Sequence, residues 1–360
     1  MESVTCSRQK GDDRMSKLRA AVIGCGRITS AYVPALKNIG SETVELVLAM
    51  DKQLDRAEKF AENFPGCAAS DMVDLISFKN LLREHRPDIL HILLPHHLHC
   101  EYAVAALESG VNVLTEKPIG ISLKDADEMI DASKRSQKQL GVIFQNRYID
   151  GVERVRSLVQ DGTLGAVKGA FSILAWHRPP SYYECDWKGS WQTEGGGVII
   201  DQAIHSIDLV RYMTNMDAVK VQGHIARRVL ETIEVEDVAD AAIILENGAV
   251  YSFFACNYYT KNSPIRIEIH CENGTALLTA DQMDISWENG ERETILPSLD
   301  PSTAGGESYW GVFHEKQIRS CYEALIHGEP MPWSPEDAKK TLEIVLGIYL
   351  SARISDTVTI

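Results

Sequence analysis

Paired cysteines, long apolar runs and surplus positive charge are all missing from this sequence, and each absence removes a class of function. The eight cysteines, at positions 6, 25, 67, 100, 185, 256, 271 and 321, form no CxxC pair, so neither a zinc site nor a disulfide framework is suggested. No run of eighteen apolar residues occurs, so no transmembrane helix is expected. Lys and Arg number 36 against 51 Asp and Glu, for a formal charge of −15. A nucleic-acid partner needs clustered cations and is excluded on that balance. The first fourteen residues hold Lys10, Asp12, Asp13 and Arg14 and no apolar stretch that could act as a signal peptide. Residues 1–14 are therefore expected to be a flexible extension before Met15, and the unpaired thiols fit a reduced, cytoplasmic setting.

What is present is the composition of an ordinary soluble globular protein, 44% apolar and 24% charged. Its 360 residues favour two domains, since single cores stop growing at roughly 250 to 300 residues. An apolar strand over 18–23 runs into Gly24-Cys25-Gly26-Arg27-Ile28-Thr29, which opens a helix. This is a GxGxxG fingerprint with Thr29 in place of the last glycine. The first glycine permits the tight turn, and the second lets backbone amides approach a pyrophosphate at the helix N-terminus. A second strand over 44–50 ends at Asp51, about where an acidic residue bonds the adenosine ribose, which favours NAD over NADP. Asp51 could instead cap the next helix, expected over 53–63, and Lys52 could pair with a 2′-phosphate.

Strands over 89–94, 111–114 and 141–144 then alternate with helical segments over 78–85, 99–109 and 123–138, which implies a parallel sheet. Glu116-Lys117-Pro118 and Pro95-His96-His97-Leu98-His99 both follow strands, at the carboxyl mouth where such sheets bind ligands. Lys117 is the candidate active-site lysine there, with a strand-end ion pair as the alternative. The histidine cluster lacks a carboxylate or cysteine to complete a ligand set, so no metal is expected.

Beyond residue 145 the pattern changes to a strand over 167–176, a loop, one helix and a series of hairpins. Glu-Asn-Gly recurs at 246–248, 272–274 and 288–290, and Asn-Gly supplies the positive φ angles of tight hairpin turns. The expected fold is an α/β Rossmann domain over 15–145, followed by an α+β domain over 146–333 with an open, mostly antiparallel sheet. A last helix over 334–352 is capped by Ser334 with Pro335 at its first position. The helix after Gly195-Gly196-Gly197 carries Asp201 and His205, four apart and so on one face. A carboxylate beside an imidazole suits a general base, although the same pair can simply stabilise a helix. The aromatic and ionic loop over 176–191 suits a sugar ring, and could equally cover a core or join two subunits.

The order of these motifs resembles the Gfo/Idh/MocA oxidoreductases, the superfamily of glucose-fructose oxidoreductase and inositol dehydrogenase, over residues 18–351. The resemblance implies NAD-dependent oxidation of a secondary hydroxyl of a sugar, cyclitol or glycoside. His205 with Asp201 would accept the proton and Lys117 would stabilise the alkoxide. It places Gly24, Gly26, Arg27 and Ile28 at the pyrophosphate and Asp51 at the ribose. Pro95, His96 and His99 fall on the nicotinamide side, and Glu116 and Lys117 beside that ring and its ribose. Arg147, Tyr183, Asp186, Gln202, His205 and Tyr258 are the implied substrate contacts, and the sheet face would build a homodimer or homotetramer. Two positions depart from the pattern: Thr29, and Ala203 where many relatives carry glycine. Two other functions remain open, a redox-neutral enzyme that recycles a tightly bound NAD and a non-catalytic NAD-binding sensor.

Overall fold

The computed structural model of the chain describes residues 17–71, 74–298 and 313–360. The expected extension at 1–14 and the start at Met15 lie outside them.

The first sheet holds β1 (Leu18–Ile23), β2 (Val44–Asp51), β3 (Ala68–Asp71), β4 (Ile89–Ile92), β5 (Asn112–Thr115) and β6 (Leu140–Val142). All its pairings are parallel, in the order β3-β2-β1-β4-β5-β6. β1, β2, β4 and β6 are buried almost throughout, because crossover helices cover both faces of such a sheet. Those helices are α1 (Thr29–Ile39), α2 (Leu54–Ala61), α3 (Leu75–His85), α4 (His99–Glu108) and α5 (Leu123–Ser136). The strand order reverses between β1 and β4, and the crevice outside the strand ends at that point is where the glycine loop and the His96 segment meet.

After α6 (Asp150–Gln160), β7 (Val167–Ala175) begins the second sheet, and α7 (Ile204–Thr214) intervenes before its remaining strands. These are β8 (Ala218–Ala226), β9 (Val238–Leu245), β10 (Val250–Cys256), β11 (Arg266–Cys271), β12 (Gly274–Thr279), β13 (Gln282–Trp287) and β14 (Arg292–Ile295). α8 (His314–His327) and α9 (Pro335–Ile354) precede the short edge strand β15 (Val358–Thr359). Among the described residues the sheet has nine strands, and its one parallel pairing joins β7 to β10. The Glu-Asn-Gly segments join β9 to β10, β11 to β12 and β13 to β14, each an antiparallel pair. Burial alternates along β9, β10 and β11, as it must where one face packs on helices and the other is open.

The chain does not separate in space as it does in sequence. α8 falls in the segment assigned to the second domain, yet it packs on the first sheet. Its Tyr322 hydroxyl is 2.6 Å from His91 Nε2, and Gln317 bonds both Phe144 N and Val142 O at 2.9 Å. Ser334 caps α9 by accepting from Asp337 N, with Pro335 in the first turn. Among the described residues no helix is long and apolar enough to cross a membrane.

Candidate active site

A cleft of about 1310 Å³ runs from the glycine loop to His205. Gly24 has φ +89°, and a Cβ there would sit 2.5 Å from Leu93 O, so the turn tolerates no side chain. A Cβ on Gly26 would meet nothing within 4 Å, which leaves the loop backbone open to a ligand. Thr29 donates from Oγ1 to Gly26 O at 2.6 Å, so the residue that replaces the third glycine ties the loop to the first turn of α1. Asp51 accepts from Cys25 N at 2.7 Å and Gln53 N at 2.9 Å and still lines the cleft. It therefore fixes two loops while facing the crevice. Arg27 and Ile28 line the same end, with Arg27 5.1 Å over the Tyr182 ring.

At the other end Lys117 leaves β5 and donates from Nζ to Asp201 O at 2.6 Å, with Asp201 Oδ1 at 3.5 Å. Glu116 turns the opposite way and accepts from Tyr32 OH at 2.9 Å and His314 Nε2 at 3.0 Å. Burial alone would raise its carboxyl, but His314, Lys117 and Tyr32 outweigh it and bring it down to about 2. Pro95 and His96 line the cleft, and His96 donates from Nδ1 to Glu194 O at 2.8 Å. His99 is buried behind them, its ring 2.8 Å from both Pro118 O and Leu94 O. It holds the two strand ends together and does not line the cleft, contrary to its expected place beside the nicotinamide.

Asp201 and His205 share the cleft but do not pair as expected. Residues Ile199–Ala203 form a π-helical turn, a form that recurs at functional sites. The Asp201 carboxylate is taken by other donors: on Oδ2, Lys188 Nζ at 2.5 Å, Gln202 Nε2 at 2.5 Å and Tyr182 OH at 2.6 Å. Burial would raise this carboxyl, yet Lys188, Lys117 and His96 hold it well below the usual range. Glu194 lies 3.3 Å from the same Lys188 ammonium, and burial and Asp201 push its carboxyl up against that pull. His205 Nδ1 has no partner among the described residues, and burial followed by Lys117 lowers the ring to about 3. The ring is neutral at physiological pH.

Three implied substrate contacts lie off the cleft wall. Arg147 is buried in an ion-pair hub, with Asp208 at 2.5 Å and Asp337 at 2.6 Å, so its charge is committed inside the fold. Tyr183 accepts from Asn257 Nδ2 at 2.6 Å, and its neighbour Tyr182 lines the cleft instead. Tyr258 forms an isolated bridge with His177. Asp186 does line the mouth, paired at 2.7 Å with Lys52, and Gln202 lines the interior. Sequence reasoning offered Tyr182 and Lys188 to a sugar only as part of the loop over 176–191, and it missed Tyr32 and His314. Lys188 and Tyr182 lie in the aromatic loop, where no spacing rule separates a cleft residue from its neighbours. Among the described residues no group of three His, Cys, Asp or Glu could hold a metal ion.

A Rossmann sheet joined to an open mixed sheet, with a lysine at one strand end and a helix-borne histidine across the crevice, defines a class of two-domain nucleotide-dependent oxidoreductases. Residues 18–144 match an oxidoreductase family with an NAD-binding Rossmann fold, and residues 152–277 match the GFO/IDH/MocA C-terminal domain. The chain belongs to the Gfo/Idh/MocA family and is an oxidoreductase that uses NAD. It is 26% identical over 323 residues to 1,5-anhydro-D-fructose reductase of Ensifer adhaerens, covering 88% of this chain and 92% of that protein. It is 28% identical over 310 residues to D-glucoside 3-dehydrogenase of Escherichia coli, covering 76% and 84%. The WlbA dehydrogenase of Chromobacterium violaceum, solved in complex with NADH and UDP-GlcNAcA, superposes with a TM-score of 0.82 at 26% identity, covering 97% of this chain and 96% of that one.

Proposed function

We propose that the protein oxidises a secondary hydroxyl of a sugar, cyclitol or glycoside, with Lys117 and His205 acting on that hydroxyl. The observation that carries this reading is the 2.6 Å bond from Lys117 Nζ to Asp201 O, which joins the end of β5 to the helix bearing His205 across one cleft. Two relatives reinforce it, one a 1,5-anhydro-D-fructose reductase and the other a D-glucoside 3-dehydrogenase. NAD supplies the hydride acceptor. The open backbone at Gly26, with Gly24, Arg27 and Ile28, suits its pyrophosphate, and Asp51 suits its adenosine ribose. Pro95, His96, Glu116 and Lys117 line the opposite end, on the nicotinamide side.

Lys117 donates to the substrate oxygen and stabilises the alkoxide as it develops, while the neutral His205 ring accepts the hydroxyl proton. The carbon loses hydride and becomes a ketone. A ring held down to about 3 by burial and Lys117 is a weaker base than an ordinary imidazole, so proton acceptance by His205 leans on the alkoxide stabilisation that Lys117 supplies. Asp201 acts by fixing Lys117, and Gln202 and Asp186 face the substrate from the cleft wall. Reduced nicotinamide followed over a panel of sugars, cyclitols and glycosides tests the reading: turnover of at least one is expected, with NAD preferred over NADP. NAD binding without turnover of any compound would instead favour a sensor.

A second reading has its own support. Lys52–Asp186 and the Arg27–Tyr182 contact bring the 180–188 loop over the cofactor end, which favours an NAD that stays bound and is recycled in a redox-neutral reaction. Purified protein that already absorbs as NADH would support it. Self-association into a homodimer or homotetramer is supported by Phe171, Ile173, Val250 and Phe254 on the open sheet face, with Ile173 42% and Val250 44% exposed. Sedimentation measures it directly.

A further inference from the structure

Most polar groups in the cleft have a protein partner, but a small set of buried atoms has none. Gln145 Oε1, Gln202 Oε1, His205 Nδ1 and, on the ring that bonds Glu116, His314 Nδ1 make no hydrogen bond among the described residues, and all four residues line the cleft. Buried polar atoms are nearly always partnered, so orphans on residues that line a cleft point to a ligand that completes them. Gln145 is the residue that no motif identified. It is 6% exposed and stands directly after Phe144, whose ring meets the His205 ring edge-on at 6.2 Å. β6, which leads to it, is hydrogen-bonded to β5, which leads to Lys117. Gln145 therefore sits on the reacting side of the cleft and away from the adenosine end.

The chemistry of the set narrows the ligand. Gln202 spends its Nε2 on Asp201 and Tyr182, so only an acceptor oxygen remains to it. Among the described residues Gln145 Oε1 has no partner and its amide nitrogen donates to no other side chain or carbonyl, so the carboxamide offers both a donor and an acceptor. An acceptor oxygen and a full carboxamide in the lining of one cleft match hydroxyls of one ring, each of which both donates and accepts. We infer that Gln145 is a specificity-determining residue that hydrogen-bonds the hydroxyl next to the carbon being oxidised, with Gln202 Oε1 accepting from a further hydroxyl. The substrate class is then a ring with at least two adjacent secondary hydroxyls. This rests on the dehydrogenase reading above.

The nicotinamide carboxamide offers the same N–H donor, so the test separates the two. With NAD and intact enzyme, kcat/KM and binding to the enzyme–NADH complex are measured for myo-inositol, methyl β-D-glucopyranoside and its 2-, 3- and 4-deoxy analogues. NADH affinity is measured in parallel. Gln145→Leu is expected to lose about 10- to 100-fold in kcat/KM on the parent compound. It should lose at most a few-fold on the analogue lacking the adjacent hydroxyl and bind NADH as wild type does. Equal losses on the parent and every analogue overturn the inference. So does weakened NADH binding, which would assign the amide to the nicotinamide. Gln145→Met, of similar length and without the amide, serves if the leucine variant does not fold. Failure of wild type to oxidise or bind any of these compounds or any member of the wider panel of sugars, cyclitols and glycosides would sink the dehydrogenase reading, and the inference with it. That failure is distinguishable because it appears before any substitution is made.

Discussion

At Asp201 three donors converge on Oδ2 and Lys117 takes the main-chain carbonyl, so the carboxylate has little left to offer His205. The spacing of four made a pair sterically available, and competition for the carboxylate decided against it. Lys188 wins that competition because two charges drawn from water in a narrow space need each other more than a neutral ring needs either. One consequence concerns pH. In the free enzyme His205 is depressed to about 3, well under its ordinary 6.5, so it is already unprotonated throughout the working range. Its stability contribution has the same sign, full at neutral pH and falling as pH drops from 6.5 towards 3, where the unfolded chain binds the extra proton. The pH profile of kcat/KM, which reports the free enzyme, is expected to show no ascending limb near 6.5. An inflection there would mean that His205 titrates normally, with neither burial nor Lys117 depressing it.

The glycine run before α7 shows what an element needs in order to place such residues. A Cβ on Gly197 would come within 2.0 Å of Glu236 O, and Glu236 Oε2 accepts from Gly197 N at 2.8 Å while its Oε1 accepts from Ile199 N at 3.0 Å. The chain is thereby pinned against the loop before β9 just where the π-helical turn begins. Gly197→Ala is expected to cost about 1 to 3 kcal/mol by overpacking and to lower turnover by shifting Asp201, with NADH affinity unchanged. Thermal melts and nicotinamide fluorescence on one preparation check both halves. The sequence announced the elements themselves well, because unbroken apolar runs mark a parallel sheet and Asn-Gly marks a hairpin. What it could not announce was the π-helical turn, or the return of α8 to the first sheet to bring His314 to Glu116. The first depends on contacts to Glu236 and Lys117, 39 and 84 residues away, and the second on one spanning 198 residues, and local periodicity carries no information on either.

Across the whole molecule, Arg147 shows how a plausible site residue becomes a structural one. It follows β6, pairs with Asp208 of α7 and Asp337 of α9, and lies within 5.3 Å of the Trp333 ring, so three segments distant in sequence meet at one guanidinium. Arg147→Met would leave Asp208 buried without its partner and is expected to lower stability by about 3 to 5 kcal/mol. Chemical denaturation measures this, and an unchanged NADH affinity would separate it from a role in the cleft. The two sheets meet in the same way at the reacting end, where Lys117 from one touches the helix of the other. The most direct test is single-turnover reduction of NAD by wild type, Lys117→Ala and His205→Ala with a substrate from the sugar panel. Lys117→Ala is expected to slow reduction by about 10²- to 10³-fold or more, His205→Ala to slow it less, and both to bind NADH normally. Near-wild-type reduction in the Lys117→Ala variant would contradict the account.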